Sequence, residues 1–127
     1  MMIETAVPPT NIDALLKQLK ALANLKRLQI LHLLMEGVHC NCELGEALDM
    51  PPNLISHHMS ILRELDLVQV ERDAVDARWV YFSINEAALT LLNQDFGAFF
   101  AVERIKPRRP TCGPQGAVVP MSEIAVA

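Results

Sequence analysis

The sequence predicts a mainly α-helical domain with a small β-hairpin, a winged helix-turn-helix of five helices plus the wing. Three observations predict it. Helical apolar spacing runs in segments from residue 12 to residue 65. Within that run, Pro51 and Pro52 separate a short helical segment from a longer one. The apolar period then shortens to two over LVQVERD and RWVYFSI, and helical spacing returns after Asn85.

The elements follow in order. Residues 1–10 read as a flexible N-terminus closed by Pro8 and Pro9. Thr10 or Asn11 can cap a first helix, with Asp13 placed in its first turn against the positive end of the dipole. That helix carries Ile12, Leu15, Leu16 and Leu19 and is expected to end near Ala23. A second helix follows over NLKRLQILHLLMEG, with Leu25, Leu28, Leu31, Leu34 and Met35 at helical spacing and Gly37 as its stop. A short helix is predicted from about Cys42 to Leu48, ended by the two prolines, which suit the first turn of the next helix.

That next helix, PPNLISHHMSILREL, organises the chain. At about 100° per residue, Leu54, His58, Ile61, Leu62 and Leu65 share one face, and Asn53, Ser56, His57, Ser60 and Glu64 the opposite one. The exposed face is short-chained and rich in hydrogen-bonding groups where a merely soluble helix carries Lys and Glu. Such a face suits close approach to a polar surface such as base edges in a major groove, although an ordinary surface helix fits the same pattern. His58, on the apolar side, reads as a packed or hydrogen-bonded structural histidine.

The two alternating segments flank AVDA and form a hairpin directly behind this helix, hence a wing. Arg72 and Arg78 flank its tip, but so do Glu71, Asp73 and Asp76, and the wing is not strongly basic. Asn85 can cap a last helix to about Val102, with Leu89, Leu92, Phe96, Phe99 and Phe100 as its stripe. Together with the first helix this exceeds what a small domain readily buries against itself. Either the surplus is core, or the terminal helices dimerise across a two-fold axis. The folded domain is therefore placed at residues 11–102. Residues 103–127 read as a flexible tail that begins with the basic run ERIKPRR and carries Cys112.

Composition narrows the function. The length of 127 residues points to one domain. No apolar run approaches the roughly 20 residues that span a bilayer, and no secretory signal opens the chain. A cytoplasmic protein with no membrane partner is expected. Three cysteines, an odd number, argue against a disulfide framework. A net charge of −4 counts against non-specific nucleic-acid binding, though not against a locally arranged site. No nucleophile, base and oxyanion arrangement stands out, so the chain is not expected to be an enzyme or to carry an organic cofactor.

Three segments in this order, LKALANLKRLQILHLL, CNCELGEALDMPPNLISHHMSILRELDLV and VERDAVDARWVYFSI, resemble the ArsR/SmtB family of winged-helix metal-responsive repressors. They cover roughly residues 12–100. The resemblance implies a homodimer that holds operator DNA when metal-free and releases it when metal binds. It implies that Asn53, Ser56, His57 and Ser60 face the major groove, with Arg63, Arg72 and Arg78 added as DNA-binding candidates. Members that sense arsenite, cadmium or lead through the short helix carry a box like Cys40-Asn41-Cys42-Glu43-Leu44. The family's other common site uses His and carboxylates on the last helix. Residues 85–102 contain no His, and no zinc site of that type is expected.

The thiol chemistry can be argued separately. Soft thiolates select soft ions. Residues two apart on a regular helix point about 200° from each other, so Cys40 and Cys42 can share an ion only if Cys40 lies in the preceding turn or the helix start unwinds. A helix N-terminus is expected to lower the thiol pKa. Trivalent arsenic prefers three sulfurs, which Cys112 would complete; a four-coordinate ion such as Cd(II) would take a further ligand, and His39 is nearest. The expected function is an arsenite-responsive repressor, or a Cd/Pb sensor of the same kind. A redox repressor pairing a cysteine with Cys112, and a protein-interaction domain without a DNA role, are the alternatives.

Overall fold

The computed structural model describes residues 12–114 and 119–123. The caps proposed at Thr10 and Asn11, the N-terminal stretch 1–10 and parts of the tail lie outside the described residues.

Helix α1 (Ile12–Leu22) is followed by α2 (Leu25–Leu34), whose N-cap Asn24 accepts a hydrogen bond from the Arg27 N–H at 3.1 Å. Beyond α2, Gly37 takes φ +132°, a conformation that a side chain would strain. Strand β1 (His39–Cys40) leads into α3 (Asn41–Leu48). Asp49 ends α3 in the left-handed region, Met50 N–H reaches back to the Gly45 carbonyl, and Pro51 and Pro52 start α4 (Pro52–Glu64) as N-cap and first residue. The turn is tight because Gly45 has no side chain: a Cβ there would sit 2.9 Å from the Met50 carbonyl oxygen. Lys26 Nζ donates to the Leu48 carbonyl at 3.0 Å, so α2 caps the end of α3.

Strands β2 (Val68–Arg72) and β3 (Val80–Ile84) pair antiparallel with Val68 opposite Ile84 and Arg72 opposite Val80. The wing is larger than the hairpin the sequence predicts. Strand β1 joins the far edge of β3, with His39 opposite Phe82 and Cys40 opposite Tyr81, in the order β1-β3-β2. A two-residue strand has no alternation to read; it exists because β3 offers a free edge. Helix α5 (Glu86–Phe99) starts on Asn85, whose side chain accepts from the Ala88 N–H, and a 3₁₀ turn (Val102–Arg104) follows.

The core lies where α2, α3, α4 and the sheet meet, around Ile30, Leu44, Ile55, Met59, Leu62 and Leu67. Two expected faces are rotated. On α2 the buried residues are Ile30 and Leu34, while Leu25, Leu28 and Met35 are exposed. On α4 the buried stripe is Ile55, His58, Met59 and Leu62, and Leu54 is exposed. In both cases part of the expected row holds, Leu34 on α2 and His58 and Leu62 on α4, while the three-helix contact also buries Ile30 on α2 and Ile55 and Met59 on α4. Along α1, Ile12, Leu16 and Leu19 also stay exposed, as do Leu91 on α5 and Phe100, Val102 and Ile105 after it. No described helix is long and apolar enough to cross a membrane.

Candidate thiol site and reading head

Cys40 and Cys42 occupy the start of α3. Cys40 is not helical: at φ −84° and ψ 163° it is the extended N-cap, and Cys42 is the second helical residue. This bend removes the 200° divergence of a regular helix and brings the two sulfurs to 2.8 Å. That is well outside the S–S bond of about 2.05 Å, and both thiols are free. Cys40 is buried and Cys42 exposed, so the pair is reached from the Cys42 side.

Cys40 also makes a capping box. Its sulfur accepts from the Glu43 N–H at 3.4 Å, and the Glu43 carboxylate accepts from the Cys40 N–H at 2.9 Å. The expected lowering of this thiol's pKa is overturned. Burial and the adjacent Cys42 sulfur push the Cys40 thiol up, and the hydrogen bond from the Glu43 N–H offsets this only in part. A helix N-terminus favours a thiolate that water or a cation can also reach, and Cys40 is covered.

The remaining ligand candidates stand apart. His39 is engaged elsewhere, its Nδ1 hydrogen-bonded to the Gly37 carbonyl at 2.9 Å. Cys112 is exposed, and among the described residues no three His, Cys, Asp or Glu side chains converge as a metal site. Within one chain the structure therefore joins Cys40 to Cys42 and leaves Cys112 outside. Beside the pair opens a cleft of about 690 Å³, lined by the apolar Met50, Pro52, Ile55, Trp79 and Val80 together with Glu46 and Arg78.

The second surface is the outer face of α4. Asn53, Ser56, His57, Ser60 and Arg63 are all exposed on it, one row of polar groups on a helix presented by a short preceding helix. Beneath them His58 is buried with Nδ1 3.2 Å from Arg27 Nη1. A guanidinium only donates, so Nδ1 accepts and His58 is neutral with its proton on Nε2. Burial, then the positive charge of Arg27, hold its pKa below the ordinary imidazole range. Arg27 Nε donates to the Ala21 carbonyl, so this one side chain links the end of α1 to the underside of α4. No local pattern in the sequence points to this pairing, 31 residues apart.

At the wing tip the two arginines are held by the protein itself. Arg78 forms an ion pair with Asp76 at 2.7 Å, and Arg72 Nη1 donates to the Ala77 carbonyl at 2.8 Å. Asp73 shapes the turn by accepting from the N–H groups of Val75 and Asp76, both at 3.0 Å, and these bonds lower its pKa.

A short helix, a tight turn, an exposed polar helix and a following sheet define a winged helix-turn-helix. Residues 24–70 match the profile of the bacterial regulatory protein family ArsR. Over that segment the chain is similar to this family of bacterial regulatory proteins. It is 37% identical over 71 residues to an arsenical resistance operon repressor of Staphylococcus aureus, over 56% of this chain and 65% of that protein. The chain thus spans slightly less than two thirds of that relative's length. Among solved structures, it is similar to a possible transcriptional regulator for arsenical resistance (26% identity, TM-score 0.60, 68% of this chain and 88% of that one). It is also similar to the transcriptional regulator HlyU of Vibrio vulnificus (30% identity, TM-score 0.53, 65% and 84%) and to HlyU of Vibrio cholerae (29% identity, TM-score 0.54, 68% and 95%).

Proposed function

We propose that this chain is a metalloid-responsive transcriptional repressor of the cytoplasm, which binds operator DNA as a homodimer and releases it when arsenite occupies the cysteine pair. The observation that carries this reading is the 2.8 Å approach of the Cys40 and Cys42 sulfurs at the first residues of the helix preceding α4. The arsenical resistance repressor of Staphylococcus aureus supports the choice of inducer. Asn53, Ser56, His57 and Ser60 read base edges, Arg63 contacts phosphate, and Arg72 and Arg78 of the wing add backbone contacts once released from their local partners. The exposed apolar residues of α1 and those at and beyond the end of α5 form the dimer contact.

The coupling follows from the double duty of Cys40. Two thiolates that share one ion at about 2.3 Å each stand roughly 3.5–3.8 Å apart, so loading spreads the sulfurs rather than gathering them. Cys40 is the cap of α3, and α3 is locked to α4 through Gly45 and Met50. Moving the cap therefore shifts the helix that aims α4. Cys112, from the tail of either subunit, is the third sulfur for inorganic arsenite; Cd(II) or Pb(II) would use the same thiols.

The test is fluorescence anisotropy with DNA from upstream of the chain's own gene, under reducing conditions, with arsenite, Cd²⁺, Pb²⁺ and peroxide titrated separately. Arsenite is expected to release the DNA, and Cys40→Ser or Cys42→Ser to abolish the response while binding DNA as the parent does. Release by peroxide alone, or a response that survives both substitutions, overturns the reading.

A further inference from the structure

Building on the thiol pair as the inducer site, we propose that the site accepts trivalent arsenicals carrying one organic group, with arsenic on Cys40 and Cys42 and the organic group in the adjoining cleft. The sulfurs and the cleft are one feature: Cys40 and Cys42 line the same 690 Å³ space as Met50, Pro52, Trp79 and Val80. A monosubstituted arsenous acid needs only two sulfurs. Each thiol loses its proton and displaces one hydroxide from arsenic, R–As(OH)₂ + 2 Cys–SH → R–As(S–Cys)₂ + 2 H₂O, with no change of oxidation state. Arsenic keeps its bond to carbon, and this third substituent has to lie somewhere beside the sulfurs. Cys40 is walled in on its protein side, and the cleft is where space opens. Its walls suit an apolar or aromatic group. Trp79 lines the cleft and is half exposed, so its ring has surface left for an aromatic group to pack on. Inorganic arsenite lacks such a group and leaves the cleft unused.

Isothermal titration calorimetry of the full chain with phenylarsenous acid and with arsenite tests this, using dithiothreitol as the reference dithiol. The phenyl-over-arsenite preference of the protein is expected to exceed that of dithiothreitol by at least about tenfold, since part of a ring leaves water. Trp79→Ala is expected to cut the excess at least about fivefold. Cys112→Ser is expected to weaken arsenite more than phenylarsenous acid. Trp79 is the chain's one tryptophan, and its emission should shift with the phenyl compound more than with arsenite, an independent readout in the unaltered protein. A preference equal to that of dithiothreitol, or one unchanged by Trp79→Ala with no difference in emission, overturns the cleft as the organic subsite. If neither arsenical binds, the thiol-pair reading itself fails, a result distinct from equal binding of both.

Discussion

His58 shows how much one side chain can couple. It sits under the polar face of α4 as a neutral ring accepting from Arg27. Because its pKa is depressed in the folded chain, the unfolded chain takes up the proton first, below about the ordinary 6.5. Stability from this residue is full above that value and is lost as pH falls towards the folded pKa. Urea unfolding is expected to give a lower midpoint at about pH 5.5 than at about pH 7.5, a window above most carboxylate titration. His58→Asn, which keeps an acceptor but cannot titrate, should narrow the difference; an unchanged difference would assign it to other groups. The pH dependence that His58 brings to the underside of α4 was only partly legible in the sequence. The apolar position of His58 was visible, while its partner was not, since no local pattern points from residue 58 to residue 27. The lowered thiol pKa expected for Cys40 failed for a related reason. Helix position is written in the sequence, and burial is not.

Helices were legible where caps and breakers agree with periodicity. Asn24, Asn85 and the Pro51–Pro52 pair mark their starts within a residue or two. Asn24→Ala should cost about 1 kcal/mol of unfolding free energy, read from denaturant midpoints. Facing was less legible than extent. Leu54 and Ile55 are adjacent and both apolar, so the wheel of α4 could turn by one position at no cost in hydrophobicity. Only packing against α2 and α3 chose Ile55. The α3–α4 junction depends on Gly45 in a way that helix propensity would misjudge. Gly45→Ala gains about 1 kcal/mol in propensity but drives a Cβ to 2.9 Å from a backbone oxygen that cannot step aside. A net loss of about 1–2 kcal/mol is expected in thermal unfolding, together with weaker DNA binding as α4 is displaced. A stabilised variant would show that the junction has slack.

At the scale of the molecule, apolar surface stays exposed along α1 and at and beyond the end of α5. Leu16 and Leu19 are 46% and 40% exposed, and Phe100 is 64% exposed. Such a face on two helices at the chain's ends is more than isolated exposed leucines, which are common. The double substitution Leu16→Glu and Leu19→Glu should give a monomer by sedimentation velocity and lower DNA affinity by at least about tenfold, because paired half-sites need two reading heads. A dimer that survives would place the contact elsewhere. The surplus was visible in the sequence as stripes on the first and last helices, although the exposed set on α2 was not.

The extra strand adds one more consequence. Cys40 sits in a ladder with Tyr81, and Tyr81 sits opposite Glu71 in the next strand, so a sulfur-bearing residue is sewn into the sheet by main-chain bonds. Whatever tugs at that residue is felt two strands away without any side chain relaying it. Deuterium uptake at the amides of residues 80–82 should therefore rise when arsenite is added, in step with the start of α3, making the wing a second gauge of an event at the sulfur pair.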